Sequence, residues 1–378
     1  MKILFTGGGT GGHFYPIIAV IMSLRERVKE RKIIPPQLYF MSPTPYNARA
    51  LFDNEVKFIP VPAGKIRRYF SVRNFMDAFK TAYGCFKAII TIYSIYPDVV
   101  FGKGGYASFP ALFAAKVLRI PVIIHESDSH PGKVNAWAGK FAKRIAVSYP
   151  EAAHSFGPKS RERIAFTGNP IRPAIAAPIK NGAHEFLQLE PELPTILFLG
   201  GSQGAAKIND TLLEALPDLL NRYQIILQTG RDNFTEVNET AKIILKDHPH
   251  ANRFHPLDYL NDLTMRMAAG AADLVVSRAG STIFEIAAWG LPSIIIPLPQ
   301  SISHDQTTNA LTYAATGAAS VIEENNLRAH ILIAEIDRIE SSAVLSDTMR
   351  SRAKAFARLD SAQLIADAIL DLALEHEK

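Results

Sequence analysis

The feature of this 378-residue chain that most restricts its fold is a repeat within it. Residues 3–12 read Ile-Leu-Phe-Thr-Gly-Gly-Gly-Thr-Gly-Gly, and residues 196–205 read Ile-Leu-Phe-Leu-Gly-Gly-Ser-Gln-Gly-Ala. In each stretch an apolar strand pattern enters a glycine-rich turn, and a helical pattern follows, at 17–28 and at 208–220. The chain therefore contains two halves built to one plan.

A second pair of matching segments extends the repeat. Residues 98–105 and 273–280 both place an apolar strand before a glycine-containing turn. In each half a helix and a break at Pro121 or Pro292 then precede another apolar strand, at 122–124 or 293–296. Strands that are apolar throughout and alternate with helices indicate parallel sheets covered on both faces. We therefore predict an α/β fold of two doubly wound, Rossmann-like domains.

The boundary between these domains is expected in the segment 168–178, which contains Pro170 and Pro173. This gives a first domain over 1–170, a second over 171–348, and C-terminal helices over 349–378 that pack back on the first. Doubly wound sheets bind ligands at the carboxyl ends of their strands. Two such edges facing one another would form an interdomain cleft with glycine turns on both walls.

The sequence predicts a cytoplasmic protein. No apolar run reaches the roughly 18 residues that a membrane span needs, and the first strand enters its glycine turn directly, unlike a signal peptide. The single cysteine, Cys85, excludes an intrachain disulfide and fits a reducing compartment. We interpret Cys85 as a small buried hydrophobe, because no catalytic motif surrounds it.

Charge is distributed unevenly along the chain. Residues 1–170 contain 24 lysines and arginines against 10 acidic residues, a balance of +14, whereas residues 171–378 contain 17 against 26, a balance of −9. A basic first half indicates an anionic partner. Cations and aromatic residues alternate on a helical rhythm between 65 and 87, including Arg67, Arg68 and Arg73. This pattern predicts a basic amphipathic helix on an anionic membrane surface, with no nucleic-acid partner; a helix facing the core is the alternative.

The glycine turns indicate phosphate binding. Residues 7–12 satisfy the dinucleotide-binding pattern, but the next strand, 37–41, is followed by Ser42 and Pro43 and not by the carboxylate that holds a ribose. This disfavours a dehydrogenase, and the lack of a Walker lysine disfavours an ATPase. Three strand-linked glycine turns, at 7–12, 102–105 and 200–204, favour diphosphate binding over turns that are merely tight, and Lys103 adds a cation to the second. Without metal-ligand spacing, we expect helix ends and Arg172 to neutralise the phosphates, with no cofactor.

At these turns the sequence resembles the MurG family of N-acetylglucosaminyltransferases. The matching motifs occur in the family's order: Gly-Gly-Thr-Gly-Gly-His at 8–13, Gly-Gly-Tyr-Ala-Ser at 104–108, His-Glu at 125–126, Gly-Asn-Pro-Ile-Arg at 168–172, Gly-Gly-Ser-Gln-Gly-Ala at 200–205, Ser-Arg-Ala-Gly at 277–280 and Asp-Gln-Thr-Thr-Asn-Ala at 305–310. They cover the chain from residue 3 to about 325.

The resemblance implies a GT-B fold and an inverting reaction. The donor would be UDP-N-acetylglucosamine (UDP-GlcNAc), and the acceptor would be lipid I, undecaprenyl-diphosphate-linked MurNAc-pentapeptide. Transfer to the C4 hydroxyl of MurNAc would give lipid II for peptidoglycan synthesis. The resemblance further implies peripheral attachment to the cytoplasmic side of the inner membrane, with cell-wall and division proteins as further partners.

The same resemblance implies residue roles. Ser202 and Gln203 would contact the donor diphosphate, Glu285 the ribose, and the backbone of Leu260 the uracil. The whole donor set is Thr10, Gly11, Gly12, Asp128, Arg172, Ser202, Gln203, Leu260, Ser281, Thr282, Glu285 and Gln306. The acceptor diphosphate would lie against Gly9, Gly104, Gly105 and Tyr106. Two assignments have structural alternatives: Thr282 and Glu285 also form a capping-box pattern, and Gln306 also falls in a helix-start pattern.

Two residues compete for the role of general base. His13 lies where the first glycine turn becomes a helix, and a helix N-terminus lowers a histidine pKa and keeps the ring neutral. His13 could instead only donate a hydrogen bond to the acceptor phosphate. Glu126, at the end of an apolar strand, is the rival base.

The chain departs from the family pattern at two places, and other functions stay open. Asp128 stands where the family often has an asparagine that contacts the donor sugar, and an ionised carboxylate accepts but cannot donate a hydrogen bond. The loop 280–285 is one residue shorter than usual. The competing functions are a UDP-GlcNAc 2-epimerase, a glycosyltransferase with another acceptor, and an inactive sugar-nucleotide-binding scaffold.

Overall fold

The computed structural model describes residues 1–65, 72–200, 205–299 and 304–376, with the backbone alone at 72–74 and 304–305. The chain forms two compact units, one made of residues 1–172 and 358–378 and the other of residues 173–357. The returning segment thus begins at Arg358, and residues 349–357, expected with the first domain, belong to the second unit.

The first unit is built on a parallel sheet of seven strands. Its strands are β1 (Lys2–Thr6), β2 (Gln37–Ser42), β3 (Val56–Pro60), β4 (Val99–Gly102), β5 (Val122–Glu126), β6 (Arg144–Val147) and β7 (Ile164–Phe166). They lie in the order β3-β2-β1-β4-β5-β6-β7. The helices are α1 (Gly11–Glu30), α2 (Ala48–Asp53), α3 (Val72–Ile95), α4 (Phe109–Val117) and α5 (Lys133–Ala138), with 3-10 turns at Tyr106–Ser108, Pro150–Phe156 and Pro158–Arg163.

The second unit repeats this arrangement with six parallel strands. They are β8 (Thr195–Leu199), β9 (Gln224–Gln228), β10 (Phe254–Leu257), β11 (Leu274–Ser277), β12 (Ser293–Ile295) and β13 (Ala319–Val321), in the order β10-β9-β8-β11-β12-β13. The helices are α6 (Pro173–Ala176), α7 (Ala183–Leu187), α8 (Ala206–Leu219), α9 (Phe234–Ile244), α10 (Asp262–Ala271), α11 (Thr282–Trp289), α12 (His304–Ala315), α13 (Ala329–Glu340) and α14 (Ala343–Phe356). Further 3-10 turns lie at Arg231–Asn233, Ala251–Arg253 and Glu324–Asn326.

The shared strand order confirms the predicted fold class. In each sheet the order reverses beside its first strand, between β1 and β4 or between β8 and β11. This reversal is the topological switch point at which doubly wound sheets bind ligands. All four glycine-containing segments of the repeat follow these four strands, so the sequence motifs mark the two switch points.

Helix α1 begins six residues earlier than the sequence pattern predicts. The chain turns at Gly8 and Gly9, which have φ values of 122° and 91°, and enters the helix after Thr10 in an extended conformation. Glycines and Pro16 are typical of a loop, which is why the pattern places the start at residue 17. Burial of the aromatic ring of Phe14 in the core outweighs these weak local preferences.

The returning helix α15 (Ser361–His376) completes the core of the first unit. Its apolar side, including Ile365 and Ile369, joins the same buried cluster as Val20 of α1. Ion pairs border this contact, from Arg27 to Asp367 and from Arg31 to Asp367 and Asp371. The C-terminal segment is thus an integral layer of the first unit.

Helix α3 exposes an apolar stripe. Ala88 and Ile92 are fully buried on its inner side, whereas seven large apolar side chains on its outer side are between 55 and 69% exposed: Phe75, Met76, Phe79, Tyr83, Phe86, Ile90 and Tyr93. The interpretation of the aromatic pattern as a core-facing stripe is therefore wrong. Arg67 and Arg68, predicted on this face, lie outside the described residues, and so does the side chain of Arg73.

No helix in the described part of the chain has both the length and the apolar character required to cross a bilayer.

Candidate functional site

The two glycine turns at the switch point of the first unit pack against each other. A Cβ atom on Gly105 would lie 3.2 Å from the carbonyl oxygen of Gly8 and 3.5 Å from Cε1 of His13. A Cβ atom on Gly9 would lie 3.1 Å from the ring of Tyr106. Because β1 and β4 are neighbouring parallel strands, their following turns meet at one edge of the sheet. The structure thus brings together the residues assigned to the acceptor diphosphate and His13.

His13 is a partly exposed, neutral imidazole in the first turn of α1. Its Nδ1 atom lies 3.1 Å from the hydroxyl oxygen of Thr10. Burial and, to a smaller extent, the nearby positive charge of Lys103 together lower the pKa of His13 to about 4. In the tautomer in which Nδ1–H donates to Thr10, the Nε2 lone pair can accept a proton.

The place of Lys103 in the 102–105 turn led us to expect its charge at the surface of the turn. The structure instead buries it. The side chain is 1% exposed, and Nζ donates hydrogen bonds to the hydroxyl of Ser127 and to Oδ1 of Asn169, the latter at 3.2 Å. Burial lowers the pKa of Lys103 to about 8, and the negative charges of Glu126 and Asp128 oppose this shift. The lysine is therefore part of the interior beneath the turns.

Glu126 holds the loop that follows β5. One of its carboxylate oxygens accepts from the backbone N–H of Asp128 at 3.0 Å. The other accepts from the N–H of Gly132 at 3.1 Å and from the side-chain amide of Asn135 at 2.9 Å. Burial, together with the negative charge of Asp128, raises the pKa of Glu126 to about 7, although the hydrogen bonds that it accepts and the charge of Lys103 oppose this shift. Since both oxygens serve the loop and the side chain is 4% exposed, this geometry favours His13 over Glu126 as the base.

Three side chains of the first unit donate hydrogen bonds to the carbonyl oxygen of Gly168. It accepts hydrogen bonds from Nε2 of His125 at 2.9 Å, from the hydroxyl of Ser361 at 2.8 Å and from the hydroxyl of Thr167 at 2.9 Å. Gly168 has φ 78°, and a Cβ atom there would lie 2.5 Å from Cβ of Arg358. The segments that leave and re-enter the first unit therefore lie side by side.

Two aromatic rings flank the start of α1. The guanidinium of Arg172 stacks over the ring of Tyr15 at 4.1 Å from the centroid. A Cβ atom on Gly11 would lie 2.8 Å from the hydroxyl of Tyr46. Arg172 is the last residue of the first unit, so its cation belongs to the same unit as the turn at 7–12.

In the second unit, the side chains of α12 support the loops around the switch point. Oε1 of Gln306 accepts from the N–H of Leu298 at 3.0 Å, and the amide of Asn309 donates to the carbonyl of Ala279 at 3.2 Å. Gln306 lies in the first turn of α12. The contact with Leu298 uses the side-chain oxygen of Gln306 and not its amide NH₂ group.

The capping-box alternative for Thr282 and Glu285 is wrong. Ser281 occupies the N-cap position of α11 without a capping hydrogen bond from its side chain, and Thr282 is already helical. A capping box needs the hydroxyl residue at the cap position and the acidic residue three positions later. The partly exposed Glu285 is therefore one position out of register for that role.

Leu260 points into the core, at 3% exposure, immediately before Asn261, which caps α10. A ligand could meet only its backbone. Ser202 and Gln203 lie in the segment 201–204, outside the described residues.

The sequence reasoning missed the importance of Arg278. This side chain forms an ion pair with Glu324 and donates to the carbonyl of Ile296 at 3.2 Å. In the internal repeat, Arg278 occupies the position of Lys103, and that correspondence was the available signal. No group of three or more potential metal-ligating side chains occurs among the described residues.

Comparison with known proteins identifies the family of this chain. The model of the glycosyltransferase family 28 N-terminal domain matches residues 3–147, and that of the family's C-terminal domain matches residues 195–365. The chain is 35% identical to the UDP-N-acetylglucosamine--N-acetylmuramyl-(pentapeptide) pyrophosphoryl-undecaprenol N-acetylglucosamine transferase of Treponema denticola, over 88% of this chain and 86% of that protein.

Solved structures show the same fold. The crystal structure of Acinetobacter baumannii MurG matches 98% of this chain and 100% of its own, with a TM-score of 0.72 and 26% identity. A putative UDP-N-acetylglucosamine 2-epimerase from Listeria monocytogenes matches 99% of this chain and 97% of its own, with a TM-score of 0.72 but only 16% identity. At this identity, the second match supports the fold and not the function. The chain therefore belongs to glycosyltransferase family 28 and, within it, to the MurG group of N-acetylglucosaminyltransferases.

Proposed function

We propose that this protein transfers N-acetylglucosamine from UDP-GlcNAc to the C4 hydroxyl of MurNAc in lipid I, giving lipid II. The observation that carries the proposal is the 35% identity, over 88% of the chain, to a relative named for this reaction. Of the site residues of the MurG resemblance, His13, Gly9, Gly104 and Gly105 lie at the switch point of the first unit, and Ser281 and Thr282 follow β11 at that of the second, where this fold binds ligands.

In the first unit, the paired glycine turns bind the acceptor diphosphate. Gly9, Gly104 and Gly105 allow the backbone to approach an anion closely, and the N-terminus of α1 directs free N–H groups and a positive dipole end towards it. Tyr106 lies against Gly9 and offers its hydroxyl to the same ligand. These contacts bring the MurNAc hydroxyl to His13.

His13 acts as the general base of a single displacement. Nε2 takes the proton of the C4 hydroxyl while that oxygen forms its bond to the anomeric carbon. The bond from the anomeric carbon to the UDP oxygen breaks, and UDP leaves with that electron pair, so the configuration inverts. Burial keeps the imidazole neutral and ready to accept, and the anionic diphosphate of bound acceptor would raise its pKa towards the working range.

The second unit binds the donor. Ser202 and Gln203 contact the diphosphate, Glu285 the ribose and the backbone of Leu260 the uracil, with Ser281 and Thr282 at the start of α11 beside them. The amide NH₂ of Gln306 donates to the sugar, since Leu298 already uses its oxygen. The resemblance also assigns Arg172, Thr10, Gly11, Gly12 and Asp128 to the donor, and these residues belong to the first unit. Asp128 can only accept from the sugar when ionised.

The exposed stripe of α3 attaches the protein to the membrane that holds its acceptor. Phe79 and Phe86 are each 63% exposed, with Lys80 exposed beside them. Aromatic and basic residues in this pattern bind the interface of an anionic bilayer. We place the protein peripherally on the cytoplasmic side of the inner membrane. Contacts with cell-wall and division proteins stay a prediction of the resemblance.

A 2-epimerase is the rival within the same fold. It acts on the sugar nucleotide alone and would need no membrane face, so the exposed stripe of α3 argues against it.

Transfer to a defined acceptor tests the proposal. Purified protein is incubated with labelled UDP-GlcNAc and a short-chain lipid I analogue, with and without EDTA, and the products are resolved by chromatography. We expect a disaccharide product with a β linkage and an undiminished rate in EDTA. Absence of transfer, or formation of UDP-N-acetylmannosamine without acceptor, would refute the assignment, and a loss of rate in EDTA would refute the metal-free reaction.

A further inference from the structure

A buried cation lies beneath the glycine turns of the first unit, and the reaction as derived above gives it no role. Lys103 follows β4 directly, and its backbone N–H donates to the carbonyl of Thr6 at the end of β1. A Cβ atom on Gly7 would lie 3.0 Å from Cβ of Lys103, so the first glycine turn rests on the lysine stem. A fully buried lysine is rare, because removing an ammonium group from water is costly.

The ammonium group of Lys103 joins segments far apart in sequence. Ser127 lies 24 residues away, in the loop that Glu126 anchors, and Asn169 lies 66 residues away, next to the carbonyl of Gly168. One side chain thus connects the switch point to the loop after β5 and to the segment that leaves the first unit.

The direct partners of this ammonium group are neutral. Arg278, at the matching position of the second unit, is instead neutralised by an ion pair with Glu324. The charged or titratable groups that face Lys103 and His13 are His125 and Glu126 at the end of β5, Asp128 in the following loop, and Tyr106 against the glycine turn. Since the hydrogen bonds of the Lys103 ammonium group go to the uncharged side chains of Ser127 and Asn169, its positive charge acts on its surroundings, including His13.

We propose that Lys103 is a positioning residue of the transfer reaction, which fixes the Ser127 loop and the Asn169 segment and places a positive charge behind the imidazole of His13. Its assignment to the reaction rests on the proposed role of His13 as base. The positive charge lowers the pKa of His13 in addition to the larger effect of burial, so the base stays neutral before acceptor binds. Lys103 itself touches no reacting atom.

The substitution Lys103→Met tests the charge. Methionine has a similar length without the ammonium group, so the pKa of His13 should rise from about 4 towards 6.5, by about one unit. A larger fraction of His13 would then be protonated at pH 5 to 6, and the acid limb of kcat/KM would move to higher pH. At pH 7.5 we expect kcat to fall by about tenfold.

The His13 pKa is measured by NMR titration of protein labelled at histidine Cε1, with the His13 signal among the 11 histidines identified from its loss in His13→Gln. Ser127→Ala separates the two parts of the proposal, because it removes a loop contact and keeps the charge. It should lower kcat and leave the His13 pKa unchanged. Lys29→Met, which removes an exposed lysine of the same helix as His13, is the matched control and should change neither quantity.

A folded Lys103→Met protein with wild-type kcat and an unchanged His13 pKa would overturn the proposal. A fall in kcat without a change in the pKa would overturn the role of the charge. If Lys103→Met does not fold, Lys103→Gln, which keeps a donor for Ser127, replaces it with the same expected shift. The titration needs no substrate, so its result stands even if the transfer assay refutes the proposed function.

Discussion

The two units share one strand order and differ in three corresponding features, two of them side chains at the switch points and the third a helix. His13 stands in the first unit where Ala206 stands in the second. Lys103, with neutral partners, corresponds to the ion-paired Arg278. The 24-residue α3 corresponds to the 10-residue α10. All residues of α10 are described, and among them Leu263 is the only large apolar side chain that is strongly exposed, against seven on α3. In the function that we propose, one fold thus supports a first unit that carries the base and faces the membrane, and a second unit that binds the donor.

The substitution with the largest expected effect makes the first glycine turn resemble the second. His13→Ala places at residue 13 the side chain found at residue 206. If His13 is the general base, kcat/KM for the lipid I analogue should fall by about a thousandfold, with little change in the KM for UDP-GlcNAc. His154→Ala, in an exposed 3-10 turn, is the control. Unchanged turnover of His13→Ala would remove His13 as base.

The two corresponding cations, Lys103 and Arg278, predict losses of stability of different size. Arg278→Met leaves the largely buried carboxylate of Glu324 without its partner, so the free energy of unfolding should fall by about 3 kcal/mol. Lys103→Met removes a buried charge whose partners are neutral, so stability should fall by about 1 kcal/mol or less. Urea denaturation of the two variants measures both. Equal losses would mean that the two cations do not differ as described.

The smallest expected effect concerns the surface of α3. Replacing Phe79 and Phe86 with serine should weaken binding to vesicles of phosphatidylglycerol and phosphatidylethanolamine by about tenfold, because two exposed rings no longer enter the interface. Ile243→Ser, which removes an exposed apolar side chain of α9 in the second unit, is the control. Flotation that is equal for both variants would contradict a membrane role confined to the first unit.

The sequence predicts the fold well because the repeat constrains it twice. Two apolar strands before glycine turns in each half lead to the correct switch points, and the structure confirms both sheets. The start of α1 was missed because glycine and proline preferences compete there with burial of Phe14, which is a tertiary effect. Helix bounds depend on such contacts more than strand order does.

The site could be predicted only in part. The positions of His13, Gly105 and Tyr106 follow from motif spacing, because the turns after β1 and β4 must meet. The inward direction of Lys103 does not, since it depends on Ser127 and Asn169, 24 and 66 residues away. Likewise, the aromatic rhythm of α3 is the same for a buried and an exposed stripe, and only tertiary packing distinguishes them.

The return of α15 to the first unit has a consequence for synthesis on the ribosome. Ile365 and Ile369 belong to the same buried cluster as Val20 and Leu24 of α1, yet they are translated after the entire second unit. Until then, that side of α1 faces the solvent or a chaperone, although the rest of the first sheet has already left the exit tunnel. Synthesis of the first unit, which we propose binds the lipid acceptor, thus starts before that of the second unit and ends after it.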